Sequence, residues 1–323
     1  MRRTKRLYRT LQDAPLPLRA RKFQNLSRYA RFSGNFRALS RRPPDARSAR
    51  GLDTFGSVLG SFYIPLGDDV WRATAHTAGP WDSSAQHGGP PSALLGRAML
   101  RCQPRPEMMI ARFTCEILRS IPVGDLTVTA RVARPGRSVE LLEAVASASG
   151  REVARAAAWR VLRADSPAVA PRQPSPPPLP GELDGRGGPI GERPGPPPGW
   201  LDGYMSAIEW RRVRGEFGAP GPGTVWTRMR YPLVPDEEPA PLERVLVSAD
   251  SGNGASGELD IGRWLFINPE LTVHLHREPG GEWICLDAAT TITPGGAGLA
   301  TSFLSDLDGP IGVAAQSLLI APR

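Results

Sequence analysis

The residues of this 323-residue chain best suited to chemistry lie in its second half. Asp250 closes an apolar run, Leu242-Glu243-Arg244-Val245-Leu246-Val247-Ser248-Ala249, that reads as a helix. A carboxylate in a last helical turn opposes the macrodipole, which disfavours it by a few tenths to about 1 kcal/mol. Asn268 precedes Pro269 after Trp264-Leu265-Phe266-Ile267, and Gln316 interrupts Ala314-Ala315-Gln316-Ser317-Leu318-Leu319. A carboxylate can accept a proton, and side-chain amides can hold water by donating and accepting hydrogen bonds. Each residue also has a plainer reading. Asp250 could be a solvated helix end, Asn268 an edge or bulge residue beside a proline that cannot pair, and Gln316 an outward residue opposite the face of Ala315 and Ser317.

The elements that must position these groups come in two similar sets. In the first, Trp71–Ala75 alternates like a strand, Gly88-Gly89-Pro90-Pro91 opens a helix reaching about residue 101, and strands follow at 108–118, 124–134, 138–148 and 152–162. Pro suits a first helical turn, and the turns at Pro135-Gly136 and Ser149-Gly150 have hairpin spacing. In the second, strands at 207–214 and 225–231 precede the Leu242–Asp250 helix, and strands follow at about 263–276, 282–292, 298–306 and 311–320. Phe113-Thr114 lies before Arg119 as Leu271-Thr272 lies before Arg277. Two copies of one α+β unit follow from this order. The Thr offset puts Ile110 opposite Asn268, the strand glycines put Ala157 opposite Gln316, and residues 88–101 contain no Asp or Glu. All three polar groups are absent from the first copy together, which points to one site, in the second.

Other candidates are weaker. His87 adjoins the first helix, with no acidic partner in that helix; a structural loop role is the plainer reading. His274 and His276 share a strand face, but no third metal ligand accompanies them. Gly295-Gly296-Ala297-Gly298 lacks the strand-turn-helix setting of a phosphate loop. Trp71, Trp81, Trp159 and Trp264 read as core or interface residues. Cys102, Cys115 and Cys285 are scattered in apolar contexts, which fits buried free thiols, a reducing compartment and no structural zinc.

Charge is unevenly placed. Residues 1–50 hold 15 of the 40 basic groups and two of the 32 acidic ones, leaving 25 basic against 30 acidic elsewhere. The body is therefore mildly acidic, and the formal +8 of the whole chain does not make it a nucleic-acid binder. The basic arm could contact nucleic acid or anionic lipid, which would make this an interaction protein, or be an unstructured extension. Twelve of residues 166–200 are Pro, a density compatible only with a polyproline-like linker. No uninterrupted apolar stretch suits a membrane span or a secretory signal, so a cytoplasmic location is expected.

One helix wrapped by an antiparallel sheet, in tandem, resembles the double-hotdog acyl-CoA thioesterases of the bacterial acyl-CoA thioesterase II type. The resemblance is carried by His87-Gly88-Gly89, by Ser248-Ala249-Asp250-Ser251-Gly252-Asn253-Gly254, by the run Phe266–Arg277 and by Ala314-Ala315-Gln316-Ser317. It implies an α+β tandem (double) hotdog, each copy one long helix in a curved antiparallel sheet. The expected division is a basic extension at 1–58, hotdogs at 59–164 and 201–323, and a linker at 165–200. It further implies hydrolysis of acyl-CoA to acid and CoA without metal or cofactor, with Asp250 as base and Asn268 and Gln316 holding the water. Asn268 stands where that family has Thr. Backbone N–H groups at Gly88 and Gly89, which lack a Cβ, would receive the substrate carbonyl. A homo-oligomer is compatible with the resemblance, and a non-catalytic acyl-CoA or acyl-carrier binding module is the alternative.

Overall fold

The computed structural model describes residues 60–164, 175–177, 202–216 and 218–323. The expected extension at 1–58, and the linker apart from Ser175–Pro177, lie outside the described residues. The first half contains β1 (Tyr63–Gly67), β2 (Val70–Ala73), α1 (Gly89–Arg101), β3 (Met108–Ile117), β4 (Asp125–Arg134), β5 (Val139–Ala148) and β6 (Arg151–Leu162). The second contains a single turn α2 (Tyr204–Ala207), β7 (Ile208–Arg214), β8 (Gly223–Met229), α3 (Pro241–Ala249), α4 (Gly252–Ala255), β9 (Trp264–Ile267), β10 (Glu270–Leu275), β11 (Ile284–Ile292), β12 (Ala297–Asp306) and β13 (Gly309–Pro322).

All the strands join one antiparallel sheet in the order β1-β2-β4-β5-β6-β3-β10-β13-β12-β11-β8-β7, with β9 pairing to β13. Read inward from either edge, the two halves follow the same sequence of connections. They meet at β3 and β10, where Thr114 lies opposite Thr272. Alternation decides which face is buried: along β4, Leu126 and Val128 point inward while Thr127 and Thr129 face out. α1 packs against β4, β5 and β6, and α3 against β8, β10 and β11, so the two helices share one core with the inward face of the sheet.

The helices pack closely through two glycines of α1. A Cβ on Gly89 would come within 2.2 Å of the Val247 carbonyl oxygen, and one on Gly96 within 2.6 Å of Leu246 Cδ1. Pro90 and Pro91 preset the first turn of α1.

Three expectations change. The second helix is not one long rod: α3 stops at Ala249, Asp250 caps it, and α4 follows as a separate turn. The strand expected over 263–276 is two strands, broken at Asn268-Pro269 because proline has no N–H to give the ladder. The register of β3 on β6 and of β10 on β13 matches Ala157 to Ala315, so Ala158, not Ala157, is the counterpart of Gln316. The hairpin glycines mismatch by one residue because Gly150 closes its two-residue turn whereas Gly309 follows its own as the first residue of β13; the bulges fall at equivalent places.

Candidate active site

Asp250 is held where α3 gives way to α4, and only 4% of it is exposed. Burial pushes its carboxyl pKa above the ordinary value, and the neighbouring His87, Asn268 and Gln316 oppose that rise. Its Oδ1 accepts from Asn268 Nδ2 at 2.7 Å and from Gln316 Nε2 at 3.0 Å. A buried carboxylate with this many donors keeps a fixed orientation, and the donors favour its ionised form against the burial.

The strand break explains how the three residues meet. β13 pairs with β9 from Leu319 and with β10 up to Ala315, leaving Gln316 to Leu318 facing the gap at Asn268-Pro269. Gln316 is 1% exposed, on the inward face with Ala314 and Leu318, so the outward reading fails. Both ends of its amide are engaged: Nε2 reaches the Asp250 carbonyl oxygen as well as the carboxylate, and Oε1 accepts from Asn253 N at 3.0 Å. Asn268 Nδ2 also donates to the Glu270 carbonyl at 3.1 Å, and its Oδ1 takes part in neither of these bonds. The freed N–H of Ser317 is capped by the Glu270 carboxylate at 2.6 Å.

From the first half comes His87, whose Nδ1 lies 3.1 Å from Asp250 Oδ2. Its ring stacks on Tyr204, 3.8 Å between centroids and 8° from parallel, and Tyr204 is fixed by bonds to Val247 O and Ser251 Oγ. Gly89 N donates to the same Nδ1 at 3.2 Å. Nδ1 cannot accept that bond and donate to Asp250 at once, so the proton between Oδ2 and Nδ1 belongs to the pair. Burial lowers the His87 pKa and raises that of Asp250, and the charge of each partner opposes the shift of the other.

The two glycines make room for neighbouring atoms. A Cβ on Gly88 would lie 2.7 Å from Asp250 Oδ2, so its missing side chain makes room for the carboxylate, as that of Gly89 does for Val247. The start of α1 has few donors for a substrate oxygen: Gly88 N–H supports Asp250, Gly89 N bonds His87, Pro90 and Pro91 have none, and Ser92 N bonds Gly88 O.

Two cavities meet here. A cleft of about 430 Å³ is lined by Asp250, Asn268, His87, Gly88 and Arg119 among others. A second, of about 170 Å³, shares Trp81, His87 and Asn253 with it and is largely apolar. Trp81 packs edge-on to Phe266 at 4.9 Å. At the opposite end of the helix pair lies an ion network, bordering a cavity of about 210 Å³ lined by Trp71, Leu94 and Arg97 among others. There buried Arg97 meets Glu243 at 3.3 Å and Glu237 at 2.5 Å, and Glu243 caps Ala240 N.

The family model for the acyl-CoA thioesterase N-terminal domain matches residues 77–161, and that for the C-terminal domain matches residues 167–320. The chain belongs to the acyl-CoA thioesterase family. No curated protein matches it. An acyl-CoA thioesterase II from Mycobacterium marinum is 16% identical, with 84% of this chain and 98% of that one covered and a TM-score of 0.55. A hotdog-fold protein of unknown function from Alicyclobacillus acidocaldarius is 14% identical, with coverage of 83% and 98% and a TM-score of 0.63. At such identities the likeness shows the hotdog fold.

Within this thioesterase-family chain, Asp250, Asn268 and Gln316 come together as the sequence suggested. Sequence reasoning missed the partnership of His87, whose carboxylate comes from the other half of the chain. The His-Gly-Gly run was the available signal, but no pattern within the first helix could supply its partner. Trp81, read from sequence as packing, lines both cavities. His274 and His276 point outward, and no group of three metal-ligating side chains gathers among the described residues. Cys115 and Cys285 are buried, and burial pushes the Cys115 thiol up to about 12. No helix of the described residues is long and apolar enough to cross a membrane.

Proposed function

We propose that this protein hydrolyses acyl-CoA thioesters to free acid and CoA, on a double hotdog whose units are 59–164 and 201–323. The observation that carries this reading is the buried Asp250 carboxylate, gripped by Asn268 and Gln316 and opening on the 430 Å³ cleft. A water in the cleft rests against Asp250 and the free Oδ1 of Asn268. Asp250 takes its proton as the oxygen attacks the thioester carbon. Collapse of the tetrahedral adduct breaks the C–S bond, and the thiolate leaves with the proton returned from Asp250. A thioester needs no covalent enzyme intermediate, because its carbonyl is electrophilic and its thiolate departs readily.

The local bonds refine the roles. Gln316 is a positioning residue, since both its amide atoms serve Asp250 and Asn253. Gly88 lines the cleft and would touch substrate, but the helix start is not the main source of carbonyl polarisation. With the shared proton on Nδ1, facing Asp250, the carboxylate stays ionised as the base, and a second ring proton on His87 Nε2 is the available donor to the carbonyl oxygen. The binding-module alternative lacks a reason for a buried, hydrogen-bonded carboxylate. The free cysteines support a reducing, cytoplasmic setting.

The test is release of free thiol from a panel of acyl-CoAs by purified full-length protein, with Asp250→Asn alongside. Turnover by the wild type and its loss in the variant support the reading. Tight acyl-CoA binding without turnover assigns the protein to the binding class.

A further inference from the structure

The face of the sheet turned away from α1 and α3 carries exposed apolar side chains where β12 and β13 run together. Phe303 is 72% exposed, and Leu299 and Val313 are exposed near it. The linker residues Ser175–Pro177 border a groove beside Phe303 and Val313 but leave Phe303 bare. Charge on the same face is placed oddly at the junction of the two halves. Along β3 the outward residues are Arg112, Thr114 and Glu116, and along β10 they are Glu270, Thr272 and His274. Their register sets Glu116 directly opposite Glu270, and Arg112 opposite His274. Like charges directly opposite destabilise a ladder. Glu270 is compensated within the chain, accepting from Ser317 N and Thr272 Oγ1. Arg112 and Glu116 form no ion pair among the described residues, although Arg155 of β6 stands opposite Glu116.

These two charges are four residues apart, roughly 13 Å along β3. A second copy stacked on this face, with a two-fold axis running across the strands through Thr114 and Thr272, has its strands reversed. Arg112 then faces the partner's Glu116, and His274 faces the partner's Glu270. Phe303 meets the partner's Leu299. The row on the axis, Thr114, Thr272, Ala315 and Thr301, consists of small residues, which lets two sheets approach to about 10 Å. An axis along the strands would instead set Glu116 on the partner's Glu270, so the charges select the first arrangement.

We infer that a second copy of this chain docks on the outer face of the sheet, in the antiparallel orientation that pairs Arg112 with the partner's Glu116 twice. The partner supplies the counter-charges that the β3–β10 ladder lacks and covers the Phe303 patch. The inference is independent of the hydrolase reading.

Sedimentation velocity of the full chain over a concentration series, at low and high salt, reads the dimer dissociation constant. The wild type should dimerise, and less tightly at high salt. Glu116→Arg sets an arginine against Arg112 at both symmetry-related places and should weaken the dimer at least about 10-fold. Glu116→Gln, which removes the charge without reversing it, should weaken it less, and Phe303→Ser should weaken it through lost apolar contact. Arg112→Glu combined with Glu116→Arg exchanges the two charges, rebuilds both pairs and should recover wild-type dimerisation. Melting curves establish that each variant is folded. A wild type that stays monomeric at every concentration overturns the inference, as it would if the linker or the basic extension covered the face. Dimerisation by Glu116→Arg as tight as the wild type's, or tighter, overturns it too, the latter pointing to the axis along the strands. So does failure of the exchanged variant to recover the dimer.

Discussion

Replacing Asp250 by Asn tests the base with little disturbance to its surroundings. The Asn oxygen can still accept from Asn268 and Gln316, which now hold the carboxylate at 2.7 and 3.0 Å. On the other side, an amide NH₂ replaces Oδ2: it can donate to His87 Nδ1, but it opposes the Gly88 N–H, a loss of about 1 kcal/mol. Against this stands the removal of a buried charge. Because the folded-state pKa of Asp250 is raised, its contribution to stability is fully present below the unfolded value and is lost as pH rises through the folded one. At neutral pH the ionised carboxylate is therefore a burden that the variant does not have. Its melting temperature at pH 7 should stay within about 4 °C of the wild type, and relative to the wild type it should be more stable at pH 8 than at pH 4. Activity should behave otherwise: losing a general base lowers the rate about 10²–10⁴-fold, roughly 3–5 kcal/mol of barrier. The assay is kcat by free-thiol release, paired with melting curves at both pH values. If the variant keeps more than about a third of wild-type kcat, where base loss predicts at least a hundredfold fall, the carboxylate is not the base.

His87→Ala removes the cation-forming neighbour that lowers the Asp250 pKa, so the acid limb of the kcat/KM profile should move to higher pH; an unmoved limb refutes the pairing. Asn268→Ala should reduce kcat by roughly 10- to 100-fold by releasing one oxygen of the base, while Asn268→Thr should be tolerated, and steady-state kinetics on both variants checks the order. Gly89→Ala places a methyl 2.2 Å from the Val247 oxygen and should lower the melting temperature. Overpacking of about 1–3 kcal/mol corresponds to roughly 2–12 °C at this size, whereas Gly124→Ala, with nothing within 4 Å, should leave it unchanged. A tight-binding analogue titrated to completion should reveal one catalytic site per chain, because Arg97, Glu237 and Glu243 occupy the other end of the helix pair.

What the sequence determined by itself was local and periodic. Strand alternation, the Pro-started helix and the repeated Phe113-Thr114 and Leu271-Thr272 were readable because side-chain period follows backbone geometry directly. So was the asymmetry of the site: Ile110 and the alanines at 157 and 158 hold no polar group whichever register is chosen. Tertiary structure decided the rest. Gly150 and Gly309 sit one place apart in otherwise equivalent hairpins, which only the strand pairing reveals, so Ala158 replaces Ala157 as the counterpart of Gln316. Pro269 announced a weak point in a strand, but only the pairing of β13 with both fragments turned that gap toward Gln316 and Asp250. His87 and Asp250 are more than 150 positions apart, and their contact depends on two helices packing through Gly89 and Gly96. The same packing sets the Asp250 carboxylate beside Gly88, which no local pattern announced. Residue type limits what a side chain can do, but the direction of each donor is set by neighbours that the chain brings from far away.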